Sequence, residues 1–227
     1  MEFQRVIESD LTGMNKTLLF DFDGVMVDSE KHYSVFWENL GQRLMGVSGF
    51  GAKVKGATLK ALLDEYFPGD AEAERIITEE LDRLEAEMVY EYIPGADSFV
   101  AAGRRRGWKV AVVTSSNLVK MRSVYAKLPE LPSMFDAILT AEDVRRSKPD
   151  PDPYLTAMER LGSDPAHSAV FEDSLNGLKS ARSSGATVVG LTTTISPETV
   201  REYSDLQIPD FTSPEAIFTF LDSRIKD

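Results

Sequence analysis

The sequence contains no cysteine, and this absence excludes several kinds of structure and chemistry. A chain without thiols has no disulfide framework, no thiolate nucleophile and no site in which thiolates bind zinc. The absence of disulfides is typical of proteins from a reducing compartment, and we predict a cytoplasmic protein.

Basic residues are also in short supply. The chain has 25 Lys and Arg against 37 Asp and Glu, which gives a net charge of −12. Such a surface repels nucleic acid and anionic lipid, so we expect neither as a partner. A small anionic substrate is compatible with this charge, because a few local cations or a metal ion outweigh a distant field.

Long apolar runs are missing too. None approaches the roughly 20 residues that span a bilayer, and the first residues lack the apolar stretch of a signal peptide. Residues 1–13 are polar and without pattern up to Met14. We interpret residues 1–13 as a loose N-terminal extension.

The most informative stretch is an apolar run that ends in two carboxylates on alternate residues. Leu18-Leu19-Phe20 is followed by Asp21 and Asp23, and Gly24 comes next. Alternate side chains of a strand share a face, so the two carboxylates are expected to lie close together where the strand ends. Their mutual repulsion favours a functional site, in which a cation or a shared proton relieves it. The alternative is an acidic turn that needs Asp and Gly for turn geometry alone.

Strand-like and helix-like segments alternate over most of the chain. Apolar runs with polar ends predict strands at 16–20, 108–113, 135–139, 168–171 and 187–191. This alternation is typical of an α/β fold with a doubly wound, Rossmann-like parallel sheet. Residues 30–93 show instead three successive helical patterns and no strand. We therefore predict an α/β core made of 14–29 and 94–227, with an inserted all-helical cap at 30–93.

Polar residues follow three further predicted strands. They are Thr114 and Ser115, then Lys148 in a loop, and then Glu172 and Asp173. The carboxyl ends of parallel strands lie along one edge of a sheet, so these groups are expected to converge with the first carboxylate pair. Oxygen ligands, a helix start and one ammonium group suit Mg²⁺ together with a phosphoryl group. Taken singly, each group also has a simpler role as a helix cap, a solvated lysine or a dipole partner.

These segments resemble the motifs of haloacid dehalogenase-like phosphotransferases that carry a helical cap after the first strand. The resemblance covers residues 16–195 and is closest to the branch of β-phosphoglucomutase and small sugar-phosphate phosphatases. The matching segments are Asp21-Phe22-Asp23-Gly24-Val25 with Asp28-Ser29-Glu30, Thr114-Ser115-Ser116-Asn117, Ser147-Lys148-Pro149-Asp150-Pro151, and Phe171-Glu172-Asp173-Ser174 with Asn176-Gly177.

The resemblance implies a role for each matching residue. Asp21 is expected to be the nucleophile that forms an aspartyl-phosphate, and Asp23 the acid and base, which requires it to hold a proton near neutral pH. Lys148 is expected to offset the negative charge. The expected Mg²⁺ ligands are Asp21, the backbone carbonyl of Asp23, and Asp173, with Glu172 as a ligand or a support. The expected phosphate-binding residues are Thr114, Ser115, Asn117 and Gly24.

The substrate is expected to be a small phosphorylated metabolite, with Lys53 or Lys55 of the glycine-rich cap loop meeting a second anionic group. Members of the mutase subgroup carry a histidine twelve residues after the nucleophile, where this chain has Tyr33 and places His32 one position early. An arginine three residues after a cap-loop glycine is also missing. The sequence therefore favours a phosphatase, with a β-phosphoglucomutase-type mutase as the alternative.

A non-catalytic phospho-accepting receiver domain is a third reading of the same residue types. A receiver needs only about half this length, and the helical insert would have no task in one. We expect a monomer, because a closing cap needs no partner.

Overall fold

The computed structural model describes residues 14–54 and 58–225, so the predicted extension 1–13 and Lys55 lie outside it. Within this part of the chain, six parallel strands form one sheet. They are β1 (Thr17–Phe20), β2 (Lys109–Val113), β3 (Ala137–Leu139), β4 (Ser168–Glu172), β5 (Thr187–Leu191) and β6 (Leu206–Ile208). Their order is β3-β2-β1-β4-β5-β6. Receiver domains have the different order 2-1-3-4-5, so the structure does not support the receiver reading.

Eleven α-helices connect or flank the strands in the described residues. They are α1 (Glu30–Met45), α2 (Phe50–Lys53), α3 (Leu59–Tyr66), α4 (Ala71–Glu87), α5 (Ala96–Arg105), α6 (Leu118–Lys127), α7 (Leu131–Met134), α8 (Asp152–Arg160), α9 (Leu175–Ser184), α10 (Pro197–Tyr203) and α11 (Pro214–Arg224). Short 3₁₀ turns at Ala141–Asp143 and Pro165–His167 complete the regular structure. None of these helices is long and apolar enough to cross a membrane.

Strand β1 lies in the middle of the sheet and is buried on both faces. Leu18 and Phe20 pack into one hydrophobic cluster, and Leu19 packs into the cluster on the opposite face. The backbone of β1 pairs in parallel with β2 on one side and with β4 on the other. Burial on both faces explains why the strand is a continuous apolar run, and helices on both sides confirm the predicted doubly wound fold.

The inserted helices α1 to α4 have a hydrophobic cluster of their own. Trp37, Phe50, Leu62 and Ile77 are buried at its centre. The predicted N-cap Thr58 accepts a hydrogen bond from the backbone N–H at the start of α3. The helical cap is therefore present as predicted, but it has four helices and not three, because the glycine-rich loop contains the single-turn helix α2. Its limits at residues 30 and 93 stay our proposal.

The last strand of the sheet was not predicted, whereas β5 lies where the sequence predicts it. Strand β6 has only three residues and forms the outer edge of the sheet beside β5. Three residues are too few to show a period of two, so the alternating pattern that indicates a strand could not be recognised. Helix α10 was missed with it, because its seven residues carry a single buried side chain, Val200.

Candidate active site

A cavity of about 350 Å³ lies between the cap and the carboxyl edge of the sheet. Ligands bind at this edge in open α/β sheets because loops from several strands meet there. The core contributes polar side chains to the wall, and the cap contributes aromatic, apolar and acidic ones. The residues lining it include Asp21, Asp23, Thr114, Ser115, Ser116, Asn117, Lys120, Lys148 and Asp173 from the core, and Glu30, Tyr33, Trp37, Thr78, Leu81, Asp82 and Glu85 from the cap.

Asp21 follows β1 directly and is joined to a buried lysine. The Lys148 ammonium donates hydrogen bonds to Asp21 Oδ1 at 2.6 Å, to Glu172 Oε1 at 2.6 Å and to the Val113 carbonyl at 2.9 Å. These three acceptors come from the ends of β1, β4 and β2. A single ammonium group therefore ties together the three central strands at the site, which excludes a freely solvated Lys148.

Burial and charge set the protonation of this pair. Burial raises the pKa of Asp21, Lys148 lowers it and Glu172 raises it, with a net pKa of about 7. Burial would lower the pKa of Lys148, but the Asp21 and Glu172 carboxylates outweigh burial and raise it. The lysine therefore stays charged at neutral pH, whereas Asp21 lies near its midpoint when no other cation is present.

Glu172 is fully buried and uses both oxygens for hydrogen bonds. Oε1 accepts from the Tyr154 hydroxyl at 2.7 Å as well as from Lys148. Oε2 accepts from the Asp173 and Ser174 backbone N–H groups and from the Ser174 hydroxyl. In this arrangement Glu172 supports Lys148, although a carboxylate oxygen lies within 4.8 Å of oxygens of Asp21 and Asp173.

Asp173 presents a carboxylate oxygen that suits a metal ion. Its Oδ1 is buried and has no hydrogen-bond partner, while Oδ2 accepts a bond from the Thr194 hydroxyl. Burial raises the pKa of Asp173 well above its usual range, and the neighbouring Glu172 and Asp21 carboxylates raise it further. A buried carboxylate oxygen without a partner is costly, and a bound hard cation such as Mg²⁺ would satisfy it.

Gly24 allows this placement of Asp173. Its φ of +76° belongs to the left-handed region, and a Cβ added there would lie 1.8 Å from Asp173 Oδ2. The Gly24 carbonyl accepts a bond from the Thr193 hydroxyl at 2.6 Å. The glycine is therefore required both by the turn and by the close approach of a carboxylate.

Asp23 is held by three donors in an arrangement that we had not anticipated. Oδ1 accepts from the Ser29 hydroxyl at 2.7 Å, and Oδ2 from the Ser116 hydroxyl at 3.1 Å and the Lys120 ammonium at 2.5 Å. Burial alone would raise the pKa of Asp23, but Lys120 and the hydroxyl bonds outweigh it and lower the pKa. The carboxylate is therefore ionised here, in contrast to the proton-holding acid that we expected.

The segment after β2 brings its polar groups to the cavity in different ways. Thr114 is buried, and its hydroxyl accepts a bond from the Ser116 backbone N–H at 3.0 Å. Ser115 is exposed and lines the cavity. Asn117 lines it too, and its side chain caps α6 by accepting from the Lys120 backbone N–H at 2.9 Å. The capping role and a contact with substrate are compatible for Asn117, since an amide group also has donors.

Lys53 and His32, two of the cap residues singled out in the sequence, do not line this cavity in the described structure. Lys53 is not among the described residues lining the cavity, and its ammonium lies 4.9 Å from the centre of the Tyr66 ring. Lys55 is outside the described residues, so its predicted role stays a prediction. His32 does not line the cavity in the described structure, whereas Tyr33 does.

Two contributors to the site were missed in the sequence. Thr194 follows β5, and the rule that polar residues gather after strands would have indicated it. Lys120 is the third residue of α6, a position where the helix dipole disfavours a cation. A lysine in the first turn of a helix that begins at the site is the signal that could have identified it.

We expect Lys148→Met to destabilise the protein by about 3–5 kcal/mol at pH 8, because it leaves the buried Asp21 and Glu172 carboxylates without their cation. The loss should be smaller at pH 5.5, where protonation of Asp21, whose pKa is about 7 even beside Lys148, removes part of that charge. Urea denaturation at both pH values measures the effect.

The matched control is Lys109→Met, which removes a lysine–aspartate pair at the surface. Lys109 is 45% exposed and lies 3.3 Å from Asp136, so its loss should cost less than about 1 kcal/mol. Equal costs for the two variants would contradict the structural importance of Lys148.

Comparison with known proteins agrees with this geometry. The sequence profile of the haloacid dehalogenase-like hydrolases matches residues 15–185. Hexitol phosphatase A of Escherichia coli is 31% identical over 182 residues, which cover 78% of this chain and 82% of that protein. Validoxylamine A 7'-phosphate phosphatase of Streptomyces hygroscopicus is 31% identical over 208 residues, covering 88% and 95%.

A solved structure shows the same fold. The crystal structure of a hydrolase of this superfamily, family IA, variant 3, from Entamoeba histolytica has a TM-score of 0.76 at 25% identity, covering 86% of this chain and 93% of that one. Together with the profile match over most of the chain, these findings show that the protein belongs to the haloacid dehalogenase-like hydrolases.

Proposed function

We propose that the protein is a Mg²⁺-dependent phosphatase that hydrolyses a phosphomonoester of a small carbohydrate through an aspartyl-phosphate. The observation that carries the proposal is the pairing of a nucleophile with a cation site at one sheet edge. Asp21 is fixed by Lys148, and Asp173, whose Oδ1 has no hydrogen-bond partner, belongs with Asp21 to the cluster that could hold a metal. The chain is 31% identical to each of two named phosphatases, which supports the same class of reaction.

The donor set fits Mg²⁺, which prefers carboxylate and carbonyl oxygens. Asp21, Asp173 and the backbone carbonyl of Asp23 would hold the ion, and Glu172 would act through Lys148, since its oxygens are already used. When bound, Mg²⁺ would neutralise negative charge and orient the phosphoryl oxygens.

The side chains of the protein would then perform the transfer. Lys148 binds Asp21 Oδ1 and so fixes the direction of the second oxygen, which attacks phosphorus as the bond to the leaving oxygen breaks. Thr114 and the Ser115 backbone N–H would hold the transferred oxygens. Asp23 would first take up a proton from solvent, then give it to the leaving oxygen, and later take one from the water that hydrolyses the aspartyl-phosphate. To do so, Asp23 must exchange one of its three hydrogen bonds for a bond to the substrate.

The cavity wall indicates the type of leaving group. Trp37, Tyr33 and Thr78 from the cap offer flat apolar surface together with hydroxyl groups. Such a wall suits a polyol or sugar, which has both C–H faces and hydroxyls. A mutase is not favoured, because the histidine expected in a mutase is replaced here by Tyr33, which lines the cavity.

Phosphate release from a panel of substrates tests this proposal. The panel comprises hexitol phosphates, hexose phosphates, nucleoside monophosphates, phosphoglycolate and pyrophosphate, each with Mg²⁺ and with a chelator. We expect release that requires Mg²⁺ and is fastest with the carbohydrate esters. Preference for pyrophosphate or nucleotides would contradict the substrate class. Conversion of β-glucose 1-phosphate to glucose 6-phosphate without phosphate release would establish the mutase instead.

Magnesium affinity is expected to fall as pH decreases from 8 to 6. The pKa of Asp21 is raised to about 7, so Mg²⁺ must displace a proton from Asp21 at pH 6 that is largely absent at pH 8. The raised pKa of Asp173 acts in the same direction. Asp21 alone predicts a loss of about tenfold over this range. Isothermal titration calorimetry in buffers of different ionisation enthalpy measures both the affinity and the protons released.

The same shifts predict how Mg²⁺ changes stability. A carboxyl group with a raised pKa in the folded state stabilises the protein at low pH, and this contribution is lost as pH rises through 7. The increase in Tm caused by Mg²⁺ should therefore be larger at pH 8 than at pH 5.5. Asp173→Asn is the control, because it should remove most of the increase at pH 8. An increase that does not depend on pH would show that these two carboxylates do not bind the ion.

A further inference from the structure

Lys120 is a second buried ammonium group at the candidate active site, and it lies outside the four segments that match the family. We propose that Lys120 is a positioning residue that makes the direction of the Asp23 carboxylate depend on the position of the cap. This proposal rests on the proposed phosphatase function, in which Asp23 acts as acid and base.

The core side of this link is short and buried. The Lys120 side chain is 5% exposed, and its ammonium lies 2.5 Å from Asp23 Oδ2. It belongs to the first turn of α6, where the helix dipole is unfavourable to a cation. Burial of the charge and its position at the positive end of the helix dipole both destabilise the protein unless the partners of Lys120 offset these costs. The partners therefore indicate the role of Lys120.

The cap side of the link consists of two residues from different helices. The Lys120 ammonium lies 3.9 Å from Glu85 Oε1 on α4 and 5.1 Å from the centre of the Tyr33 ring on α1. The Tyr33 hydroxyl donates to the same Glu85 oxygen at 2.8 Å. A carboxylate and an aromatic face both attract an ammonium group, so the cap competes with Asp23 for Lys120.

This shared ammonium connects cap position with catalysis. Ser116 binds Asp23 from the core, and Ser29 binds it from the start of α1. Among the described residues, Lys120 is the partner of Asp23 that contacts both α1 and α4. A movement of the cap would change the pull of Glu85 and Tyr33 on Lys120, and thereby the pull of Lys120 on Asp23 Oδ2. Proton transfer requires the carboxylate to lie within hydrogen-bond reach of the leaving oxygen, so its direction affects the rate.

The test compares Lys120→Met with wild type on two esters. With a hexitol phosphate we expect kcat to fall about 10- to 100-fold and KM to change less than about threefold, because Asp23 no longer points correctly. With p-nitrophenyl phosphate, the pre-steady-state release of nitrophenolate should fall less than about threefold, since that leaving group departs without a proton. Equal losses on the two esters would show that Lys120 does not act through Asp23.

The matched control is Lys127→Met on the same helix. The Lys127 ammonium also reaches the cap, where it binds the Met88 carbonyl at 2.6 Å, but it does not contact Asp23. We expect this variant to lower Tm and to keep kcat on the hexitol phosphate within about twofold of wild type. A loss of kcat as large as that of Lys120→Met would assign the effect to general loosening of the cap.

Glu85→Gln tests the cap side without removing the lysine. It should lower kcat on the hexitol phosphate about three- to tenfold in the wild-type background and have no further effect in Lys120→Met. If the loss of kcat in the double variant equalled the product of the two single losses, the proposed link between Glu85 and Lys120 would be wrong. If Lys120→Met does not fold, Lys120→Gln takes its place in this comparison.

Two measurements separate the failure of this proposal from the failure of the proposed function. If wild type releases no phosphate from any ester, the proposed function fails. The link between core and cap can then still be tested by thermal unfolding. If the link exists, the decrease in Tm of the double variant should be smaller than the sum of the decreases in Lys120→Met and Glu85→Gln. A crystal structure of Lys120→Met with Asp23 in an unchanged position would also overturn the proposal.

Discussion

Asp21→Asn is expected to abolish phosphate release, with a loss of at least about 10⁴-fold in kcat. The amide is nearly isosteric with the carboxylate, so it can still accept the bond from Lys148, but it is not a nucleophile towards phosphorus. Release of phosphate in single-turnover experiments measures the effect.

A second experiment locates the phosphoryl group. When Asp23→Asn is incubated with substrate and then quenched with acid, the phosphoryl group should remain on Asp21, because the base that activates water is missing. Mass spectrometry of the peptides would identify the phosphorylated residue.

The control is Asp205→Asn, which changes an exposed aspartate of the α/β domain that also accepts from a cation and from a backbone N–H. Asp205 accepts from Arg182 at 3.0 Å and from the Val188 backbone N–H at 2.8 Å. We expect this variant to keep the kcat of wild type. If Asp21→Asn were as active as wild type, or the phosphoryl group were found on another residue, Asp21 would not be the nucleophile.

Gly24→Ala is expected to cause the second large effect, a loss of Mg²⁺ affinity of about 10- to 100-fold. The new methyl group would lie 1.8 Å from Asp173 Oδ2 and 2.9 Å from the Thr194 hydroxyl, so the carboxylate must move. Its partnerless Oδ1 would move with it and lose its position as a ligand. Isothermal titration calorimetry with Mg²⁺ at pH 8 measures this loss.

The control for backbone strain is Gly107→Ala. Gly107 has a similar φ of +81°, but a Cβ there would have no atom within 4 Å. Both variants should therefore lose about 1–2 kcal/mol of stability from the left-handed backbone, whereas only Gly24→Ala should lose Mg²⁺ affinity. Unchanged affinity in Gly24→Ala would show that Asp173 does not need its present position.

The centre of the sheet could be predicted because its strands are buried on both faces. A continuous apolar run such as Leu18-Leu19-Phe20 has few other interpretations when a carboxylate pair follows it. The convergence of Lys148 and Asp173 on Asp21 was predictable for a related reason, since parallel strands end at one edge. The sequence pattern thus predicts the position of a residue when that residue directly follows a strand of the parallel sheet.

Residues whose role depends on the contact between core and cap could not be predicted in this way. Lys120 resembles any other helical lysine until α4 and α1 are placed against α6. The protonation of Asp23 was misjudged for the same reason, because the expected neighbour was Asp21, whereas Lys120 determines the charge. Lys53 lies over Tyr66 in this structure, and its predicted contact with the substrate stays a prediction.

The position of β1 in the middle of the sheet has a consequence for folding. Thr17 pairs with Lys109 on one side and with Ser168 on the other, so the first strand finds its second partner only when most of the chain is available. Contacts between such distant positions close large loops and are slow to form. During synthesis, the cap with its own hydrophobic cluster is complete long before β1 has a sheet to join. The proposed metal ligands Asp21 and Asp173 are brought together by the pairing of β1 with β4. A chain interrupted before β4 would therefore have the proposed nucleophile without the proposed metal site.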